Sequence, residues 1–292
     1  MARTSIDSLL APRAAALIGV LTAALAGEPE AVHQARVASR RLREVLPALA
    51  VNDARGWRAL RKDVRRVTRA FGAVRELDVA IGHFDETAAT TPMSASARAT
   101  TRRLLQVQRA AALRATRAML TPARRRRLQA RLEEATAAIP ADAGAVKAAM
   151  DARVVRRARS VRKAVVGTGA VYMPERLHAV RIAVKRLRYA LEAAREARGV
   201  RTSSQLTQLK VIQDLLGRAH DLHVLAERVQ EVQVTVVQRS RATARDLGGL
   251  ARALDRECRA LHAAFMSRRQ GLLTLSTALL PRAGAPRTRS VA

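Results

Sequence analysis

The sequence predicts an all-α protein whose two halves are built alike. Alternating apolar and polar stretches, the pattern of half-buried strands, are absent, and the chain is rich in the strong helix formers Ala, Leu, Arg and Glu. Hydrophobic residues make up 49% of the chain, which is enough for a packed core. A histidine motif occurs twice, at His33 and at His178, 145 residues apart.

Helix limits follow from apolar periodicity and from the positions of glycine and proline. Thr91-Pro92 and Thr121-Pro122 have the form of a cap followed by a proline in the first turn of a helix. The predicted helices span residues 4–26, 29–50, 55–83, 94–119, 122–138, 142–166, 174–197, 203–234 and a long region near 238–273.

The joint between the two halves is predicted at Ile139–Gly144, which contains a proline and a glycine. The expected units are a first helical bundle at residues 1–140 and a second at 141–280. Residues 281–292 contain two prolines, a glycine, three arginines and no acid, and are expected to form a flexible basic tail.

The N-terminal apolar run leaves two alternatives open. Ala14–Ala26 carries no charge and ends Ala-Leu-Ala-Gly, which resembles the apolar region and cleavage site of an exported protein. Asp7 before the run and Pro12-Arg13 at its start favour a core helix of a cytoplasmic protein instead. No uninterrupted run reaches the roughly 18 apolar residues that span a bilayer, so no membrane contact is expected.

Both copies of the histidine motif have the form apolar-His-x-x-Arg-x-x-x-basic-Arg-Leu-Arg. On a helix, the polar residues of each copy lie within a stripe roughly 80° wide, and apolar residues such as Val32 and Leu42 lie on the opposite side. Arg41 and Arg186 point away from the stripe at the same angle. The two stripes consist of His33, Arg36, Arg40 and Arg43, and of His178, Arg181, Lys185 and Arg188.

A row of cations with this spacing repels itself, because no acid is interleaved between its members to offset the repulsion. Such a row is tolerated when solvated, and it is useful when a polyanion lies along it. The following helix of the first half adds further cations on one side: Arg58, Arg61, Lys62, Arg65, Arg66 and Arg69. Its counterpart keeps only Lys210, at the position of Arg65, so we expect the first half to contribute more affinity.

The charge of the chain indicates an anionic partner. Lys and Arg total 54 against 24 acids, a formal net charge of +30, and 49 of these cations are arginines, whose guanidinium matches phosphate oxygens. Nucleic acid, an anionic membrane or another phosphate polymer fits this charge.

The single Cys258 excludes an internal disulfide and a cysteine zinc site. The spacing of His220 and His223 suits a metal, but no Cys or Glu cluster supports it, so no metal is predicted.

A second segment repeats with the same offset. Gly72–Asp78 aligns with Gly217–His223, again 145 residues apart. We expect each glycine to break or cap a helix and the acid after it to lie near a new N-terminus. Asp78 and Asp221 are therefore interpreted as helix caps or partners of arginine rather than as metal ligands.

The two repeats resemble those of the CHAD family, the conserved histidine α-helical domain. The resemblance covers essentially the whole chain before residue 281. It implies two antiparallel helical bundles related by a pseudo-twofold axis. It also implies that the motif helices line a basic surface or pore that binds inorganic polyphosphate, in the cytoplasm at polyphosphate granules. No Glu-x-Glu-x-Lys motif of a triphosphate-tunnel domain is present, so the chain resembles a stand-alone member.

We therefore expect a polyphosphate-binding protein without a cofactor. Whether the two motif histidines contact the ligand or are structural stays open. In the second half, His220 and His223 stand where Arg75 and Asp78 stand in the first, so the two segments are not equivalent. The expected binding residues are His33, Arg36, Arg40, Arg41, Arg43, His178, Arg181, Lys185, Arg186, Arg188, Arg58, Arg61, Lys62, Arg65, Arg69 and Lys210.

Two other functions compete with this expectation. Nucleic acid would bind weakly and without sequence specificity to any protein this basic, but aromatic residues make up only 2% of the chain and offer few stacking platforms. A phosphotransferase could use His33 or His178, but the motif helices supply neither a metal site nor a positioned carboxylate. There is no phosphate-binding Gly-x-x-x-x-Gly-Lys-Ser/Thr loop. The sequence therefore favours binding without catalysis.

Overall fold

The structure, a computed structural model, describes residues 3–50, 54–138, 142–200 and 204–281. All regular elements in these ranges are α-helices, which confirms the all-α prediction. The helices are α1 (Arg3–Ala26), α2 (Pro29–Leu49), α3 (Ala54–Thr90), α4 (Ala95–Met119), α5 (Pro122–Ala137), α6 (Ala143–Val166), α7 (Pro174–Glu196), α8 (Ser204–Val236) and α9 (Arg241–Ala278). The predicted tail, apart from its first residue, lies outside the described residues.

The two motif helices, α2 and α7, begin and bury their faces in the same way. Each has a proline in its first turn, where the missing backbone N–H costs no hydrogen bond. Each also has an acid in that turn, which complements the helix dipole. The predicted apolar faces are confirmed, because these residues are all buried: Val32, Leu42, Val45, Leu46, Leu49, Leu177, Leu187 and Leu191.

The two glycines of the second repeat do not interrupt their helices, so that prediction is wrong. Helix α3 continues through Gly72 and α8 continues through Gly217. A glycine within a helix costs only about 1 kcal/mol relative to alanine. Neighbouring buried residues, Phe71 in α3 and Leu216 in α8, hold each helix in the core and outweigh that cost.

Two clusters of apolar side chains form the interior. The larger contains residues of α1, α2, α5, α6 and α7, Leu113 of α4, the first halves of α3 and α8, and the second half of α9. The smaller contains the remaining halves of α3, α8 and α9 together with Leu105 of α4. In α3 the change from one cluster to the other falls between Val74 and Leu77, and in α8 it falls between Leu216 and Leu222.

The larger cluster draws on both halves of the sequence, so the helices before and after Ile139–Gly144 share one apolar core. The division at residues 140 and 141 and the pseudo-twofold relation between the halves stay predictions. Leu77 and Leu222, the first residues of α3 and α8 in the smaller cluster, are 145 residues apart, the spacing of the motifs.

Helix α1 packs in the core through Leu9, Leu10, Leu17 and Leu21. It also contains an 18-residue window, Leu9–Ala26, with a mean hydropathy of 1.8, that is long and apolar enough to cross a membrane. The window includes the charged residue Arg13, so it is not an uninterrupted apolar run, and the expectation of no membrane contact stays a prediction. In the folded protein 33% of the window is buried, and both core helices and signal sequences satisfy the same criterion.

A buried acid attaches α2 to α6. Glu44 lies only 8% exposed and accepts hydrogen bonds from Arg153 and Arg157, at 2.8 and 3.0 Å. The backbone carbonyl of Arg43 also accepts from Arg153, at 3.3 Å. The motif helix is therefore fixed to α6 at the end of its cation row, where Glu44 directly follows Arg43.

Candidate functional site

The two cation rows converge where α2 and α7 pack together. Burial, followed by the charges of Arg40 on the same helix and Arg181 on α7, lowers the pKa of Arg36 to about 10. Burial likewise lowers the pKa of Arg181, and Arg40 contributes to the shift. We name the group formed by Arg36, Arg40, Arg181 and Lys185 the central cluster.

Lys185 shows the electrostatic strain of the central cluster most clearly. Burial, followed by the charges of Arg181, Arg40 and Arg36, lowers the pKa of its ammonium group to about 6. Within the described part of the chain, its Nζ atom makes no hydrogen bond or ion pair. Near neutral pH the protein therefore holds this lysine largely uncharged among three guanidinium groups.

Carboxylates near the central cluster are too few to neutralise it. Asp221 of α8 lies 3.6 Å from Arg181 and opposes the pKa shifts of Arg40 and Lys185. Glu76 of α3 opposes the pKa shift of Arg36, but its carboxylate lies 2.6 Å from Arg228. Among the described residues, the central cluster therefore has two nearby acids for three guanidinium groups and a lysine, and one of those acids is engaged elsewhere.

The arginines of α2 are held in place by short-range contacts. Arg36 Nη1 donates to the backbone carbonyl of Thr68 on α3, at 3.0 Å. The Thr68 hydroxyl in turn donates to Ser39 at 3.0 Å, which fixes the register of α2 against α3. Arg40 forms a hydrogen bond with Tyr189 of α7, and this contact raises its pKa against the effect of burial. The guanidinium groups are therefore positioned before any ligand arrives.

The motif histidines lie at one end of the central cluster. Burial lowers the pKa of His33, and Arg75 of α3 adds to the shift. At the equivalent positions of the second half, His178 Nδ1 lies 3.0 Å from His220 Nδ1. Since Arg75 and His220 occupy matching places, the second repeat segment contributes to the site in both halves. Arg75 and His220 lie at the boundary between the two apolar clusters, at the points where α3 and α8 pass from the larger cluster into the smaller one.

A second group of cations continues the site. Burial lowers the pKa of Arg43, and the charges of Arg65 on α3 and Arg186 on α7 lower it further. Arg186 points away from the row on a helical wheel, yet it lies beside Arg43 because α7 packs across α2. Arg43, Arg65 and Arg186 thus extend the positive charge from the central cluster toward α3.

Two other expected residues have carboxylate partners. Arg188 donates to Gln213 at 2.8 Å, pairs with Glu192 and lies 4.8 Å above the ring of Tyr189. Arg41 is exposed and lies 4.0 Å from the same Glu192, on the other side of α2 from the central cluster. These two arginines are less available to an anion than Arg43 and Arg186.

The cations of α3 form an exposed row beside Arg43. Arg66 differs from its neighbours because it pairs with Asp63, at 2.6 Å. Lys210, the counterpart of Arg65, is exposed on α8. The exposed members of the row are Arg58, Arg61, Lys62, Arg65 and Arg69.

The two aspartates of the repeated segment act as partners of arginine, not as caps. Asp78 pairs with Arg109 of α4, and Asp221 pairs with Arg181. Among the described residues there is no group of three or more His, Cys, Asp or Glu placed to hold a metal ion. His220 faces His178 rather than forming a two-histidine pair with His223.

Gly72 serves the site instead of ending a helix. A Cβ atom at this position would lie 3.3 Å from Arg36 Nη1, tighter than an ordinary contact, whereas a Cβ at Gly217 would meet nothing within 4 Å. Gly217→Ala is therefore expected to stabilise the protein by about 1 kcal/mol through helix propensity.

Gly72→Ala is expected to stabilise less, because Arg36 must shift to make room for the methyl group. Thermal unfolding of both variants measures the difference. Equal stabilisation by the two substitutions would contradict the role of Gly72 as space for Arg36.

Comparison with known proteins identifies the fold. The structure of the CHAD domain from the plant Ricinus communis is 23% identical, with a TM-score of 0.66, over 94% of this chain and 91% of that chain. The structure of PptA from Streptomyces chartreusis is 18% identical, with a TM-score of 0.68, over 91% of this chain and 98% of that chain. No protein with a curated description matches the chain.

The family model of the CHAD domain matches residues 8–230. This range includes both histidine motifs and both repeated glycine segments. The chain therefore belongs to the CHAD domain family.

Proposed function

We propose that this protein binds inorganic polyphosphate at the surface formed by α2, α7 and the exposed row of α3. The observation that carries the proposal is the meeting of Arg36, Arg40, Arg181 and Lys185 at the junction of α2 and α7, where burial and the three guanidinium groups lower the pKa of Lys185 to about 6. Half-buried like charges destabilise the ligand-free protein. A polyanion bound along the central cluster offsets the repulsion between its positive charges. Relief of this repulsion contributes to the free energy of binding.

The shape of the charged surface favours a linear polymer over a single phosphate. The row from Arg36 to Arg43 extends along α2 for about 10 Å, and the row from Arg58 to Arg69 extends along α3 for about 16 Å. Arg65 beside Arg43 joins the two rows. Guanidinium groups bind phosphate oxygens through paired hydrogen bonds, and dense charge along a polymer adds the release of counterions.

The family resemblance supports the same ligand, and we place the protein in the cytoplasm at polyphosphate granules on that basis. We propose binding without catalysis, since the motif helices present cations and imidazoles while the nearby Glu76 and Asp221 are held by Arg228 and Arg181. Nucleic acid is expected to bind weakly through the general positive charge.

Titration with labelled long-chain polyphosphate and with duplex DNA in the same buffer tests the ligand. At about 0.15 M salt, we expect polyphosphate to bind more tightly than DNA, because the cluster matches closely spaced phosphates and contains few aromatic platforms for bases. DNA binding as tight as polyphosphate binding would favour the nucleic-acid alternative.

The length of the bound polymer tests for catalysis. We expect polyphosphate incubated with the protein for hours, with and without Mg²⁺, to keep its chain length on a gel. Shortening that disappears in the His33→Ala, His178→Ala double variant would contradict binding without catalysis and would indicate a phosphotransferase.

A further inference from the structure

A pair of hydrogen-bonded histidines lies at the edge of the central cluster. The Nδ1 atoms of His178 and His220 are 3.0 Å apart, and the ring centroids are 4.3 Å apart. One of these nitrogens must donate and the other must accept, so the two Nδ1 atoms share a single proton. While this contact persists, at most one of the two imidazoles carries a charge.

Charged groups from three helices surround this pair. Burial lowers the pKa of His220 to about 3, and the charge of Arg181 is the next largest cause. Burial also lowers the pKa of His178, followed by Arg181 and Lys185. The carboxylate of Asp221 lies 3.6 Å from Arg181 and opposes the pKa shift of Lys185. The charged and titratable groups around the pair and Lys185 are Arg36 and Arg40 of α2, Arg181 of α7, and Asp221 and His223 of α8.

The two halves of the site differ in their ability to bind protons. Lys185 occupies the position that Arg40 occupies in the first half, and His220 occupies the position of Arg75. A guanidinium stays protonated under all ordinary conditions, whereas an ammonium or an imidazole in a positive environment loses its proton. The α7–α8 side therefore contains groups that can gain charge when a polyanion arrives.

We propose that polyphosphate binding takes up protons from solution at Lys185 and at the His178–His220 pair, so that mildly acidic conditions strengthen binding. This inference rests on the proposed function and adds a second ligand, the proton, to the same site. Upon binding, the neutral Lys185 amine accepts one proton to become an ammonium. The histidine pair accepts at most one more, and becomes an imidazole hydrogen-bonded to an imidazolium.

The direction of the pH effect follows from linkage. In the ligand-free protein, the pKa of Lys185 is about 6, so the group is largely neutral at pH 8 and becomes charged as the pH falls toward 6. A bound polyanion raises this pKa, so the complex holds more protons than the free protein between about pH 6 and pH 8. Affinity must therefore rise as the pH falls through this range, and it levels off below it.

Replacement of Lys185 by arginine tests the inference, because arginine is the residue at the equivalent position of the first half, Arg40. Affinity for a long-chain polyphosphate is measured at pH 6 and pH 8 at constant ionic strength. Proton uptake is measured by calorimetry in two buffers that differ in ionisation enthalpy. For the unaltered protein, we expect binding roughly 10-fold tighter at pH 6 and a net uptake of up to two protons at pH 8.

Lys185→Arg is expected to bind more tightly than the unaltered protein at pH 8 and to lose most of the difference between the two pH values. His220→Gln is expected to lose the smaller remaining part. Lys163→Arg, which alters an exposed lysine on α6, is the matched control and should keep the full pH dependence. Circular dichroism verifies that each variant is folded.

Two further outcomes separate the inference from the proposed function. Tight polyphosphate binding with no proton uptake, or with the same pH dependence in Lys185→Arg and His220→Gln, overturns the proton coupling and leaves the binding function intact. Absence of binding at both pH values overturns the proposed function and the inference with it.

Discussion

Replacement of both Arg36 and Arg181 by alanine is expected to weaken polyphosphate binding by roughly 100-fold and to leave the protein folded. Each arginine offers charge-assisted hydrogen bonds to phosphate, and each such bond contributes about 1.5 kcal/mol or more. Removal of two of them therefore costs about 3 kcal/mol of binding free energy. The loss should be smaller at high salt, because part of the affinity comes from counterion release.

The fold should tolerate this change because neither arginine has a strong carboxylate partner. Arg36 donates to a backbone carbonyl, and Arg181 lies 3.6 Å from Asp221. Loss of both also removes repulsion around Lys185, so the melting temperature should stay the same or rise. Fluorescence titration measures the affinity, and circular dichroism measures the helix content.

A variant with the same loss of charge is the appropriate control. Arg103 and Arg114 are exposed on α4 and make no ion pair or hydrogen bond with the part of the chain that the structure describes. Arg103→Ala with Arg114→Ala should reduce polyphosphate affinity only a few-fold, through net charge. An equal loss of affinity in both double variants would show that position within the central cluster is unimportant. A loss of helix content in Arg36→Ala with Arg181→Ala would show that these two residues are structural.

Glu44→Ala is expected to have the largest effect on stability, lowering the free energy of unfolding by about 3 kcal/mol. The substitution leaves two guanidinium groups without their common partner, and both are mostly shielded from solvent, at 12% and 22% exposure for Arg153 and Arg157. An unpaired buried charge costs far more than the net contribution of the pair itself.

Urea unfolding followed by circular dichroism measures this effect. Asp85→Ala is the comparison, because Asp85 pairs with Arg102 at 3.0 Å while both side chains are more than 40% exposed, at 42% and 48%. That exposed pair should contribute about 0.5 kcal/mol. Equal destabilisation by the two substitutions would contradict the view that Glu44 anchors α2 in the core.

The sequence predicts helix positions and faces well because both depend on local information. Apolar periodicity and prolines locate α2 and α7, and the helical angle places Arg36 and Arg181 on polar faces. Contacts between helices are not encoded in this way. The hydrogen bond from Arg188 to Gln213 depends on how α7 packs against α8, and a helical wheel does not contain that information. The pair of Arg188 with Glu192 lies within α7, four residues apart, and could have been predicted from the sequence.

Repeat alignment carries more information about the site than single motifs do. Arg75 and His220 share the offset of the motif histidines, and this shared spacing is a signal in the sequence for their place beside His33 and His178. The role of Tyr189 is not predictable from the repeat, because its counterpart is the structural acid Glu44. A glycine in a helical sequence can indicate either the end of the helix or the close approach of another residue. At Gly72 the structure shows the second, because Arg36 Nη1 lies where a Cβ atom would be crowded.

The central claim is that cations from both halves bind one polyphosphate chain. A crystal structure of the complex with a polyphosphate of defined length tests it most directly. We predict continuous density for the polymer, with phosphate oxygens within hydrogen-bonding distance of Arg36 and Arg40 on α2 and of Arg181 and Lys185 on α7. Density confined to the exposed row of α3, or to a surface away from the junction of α2 and α7, would contradict the claim.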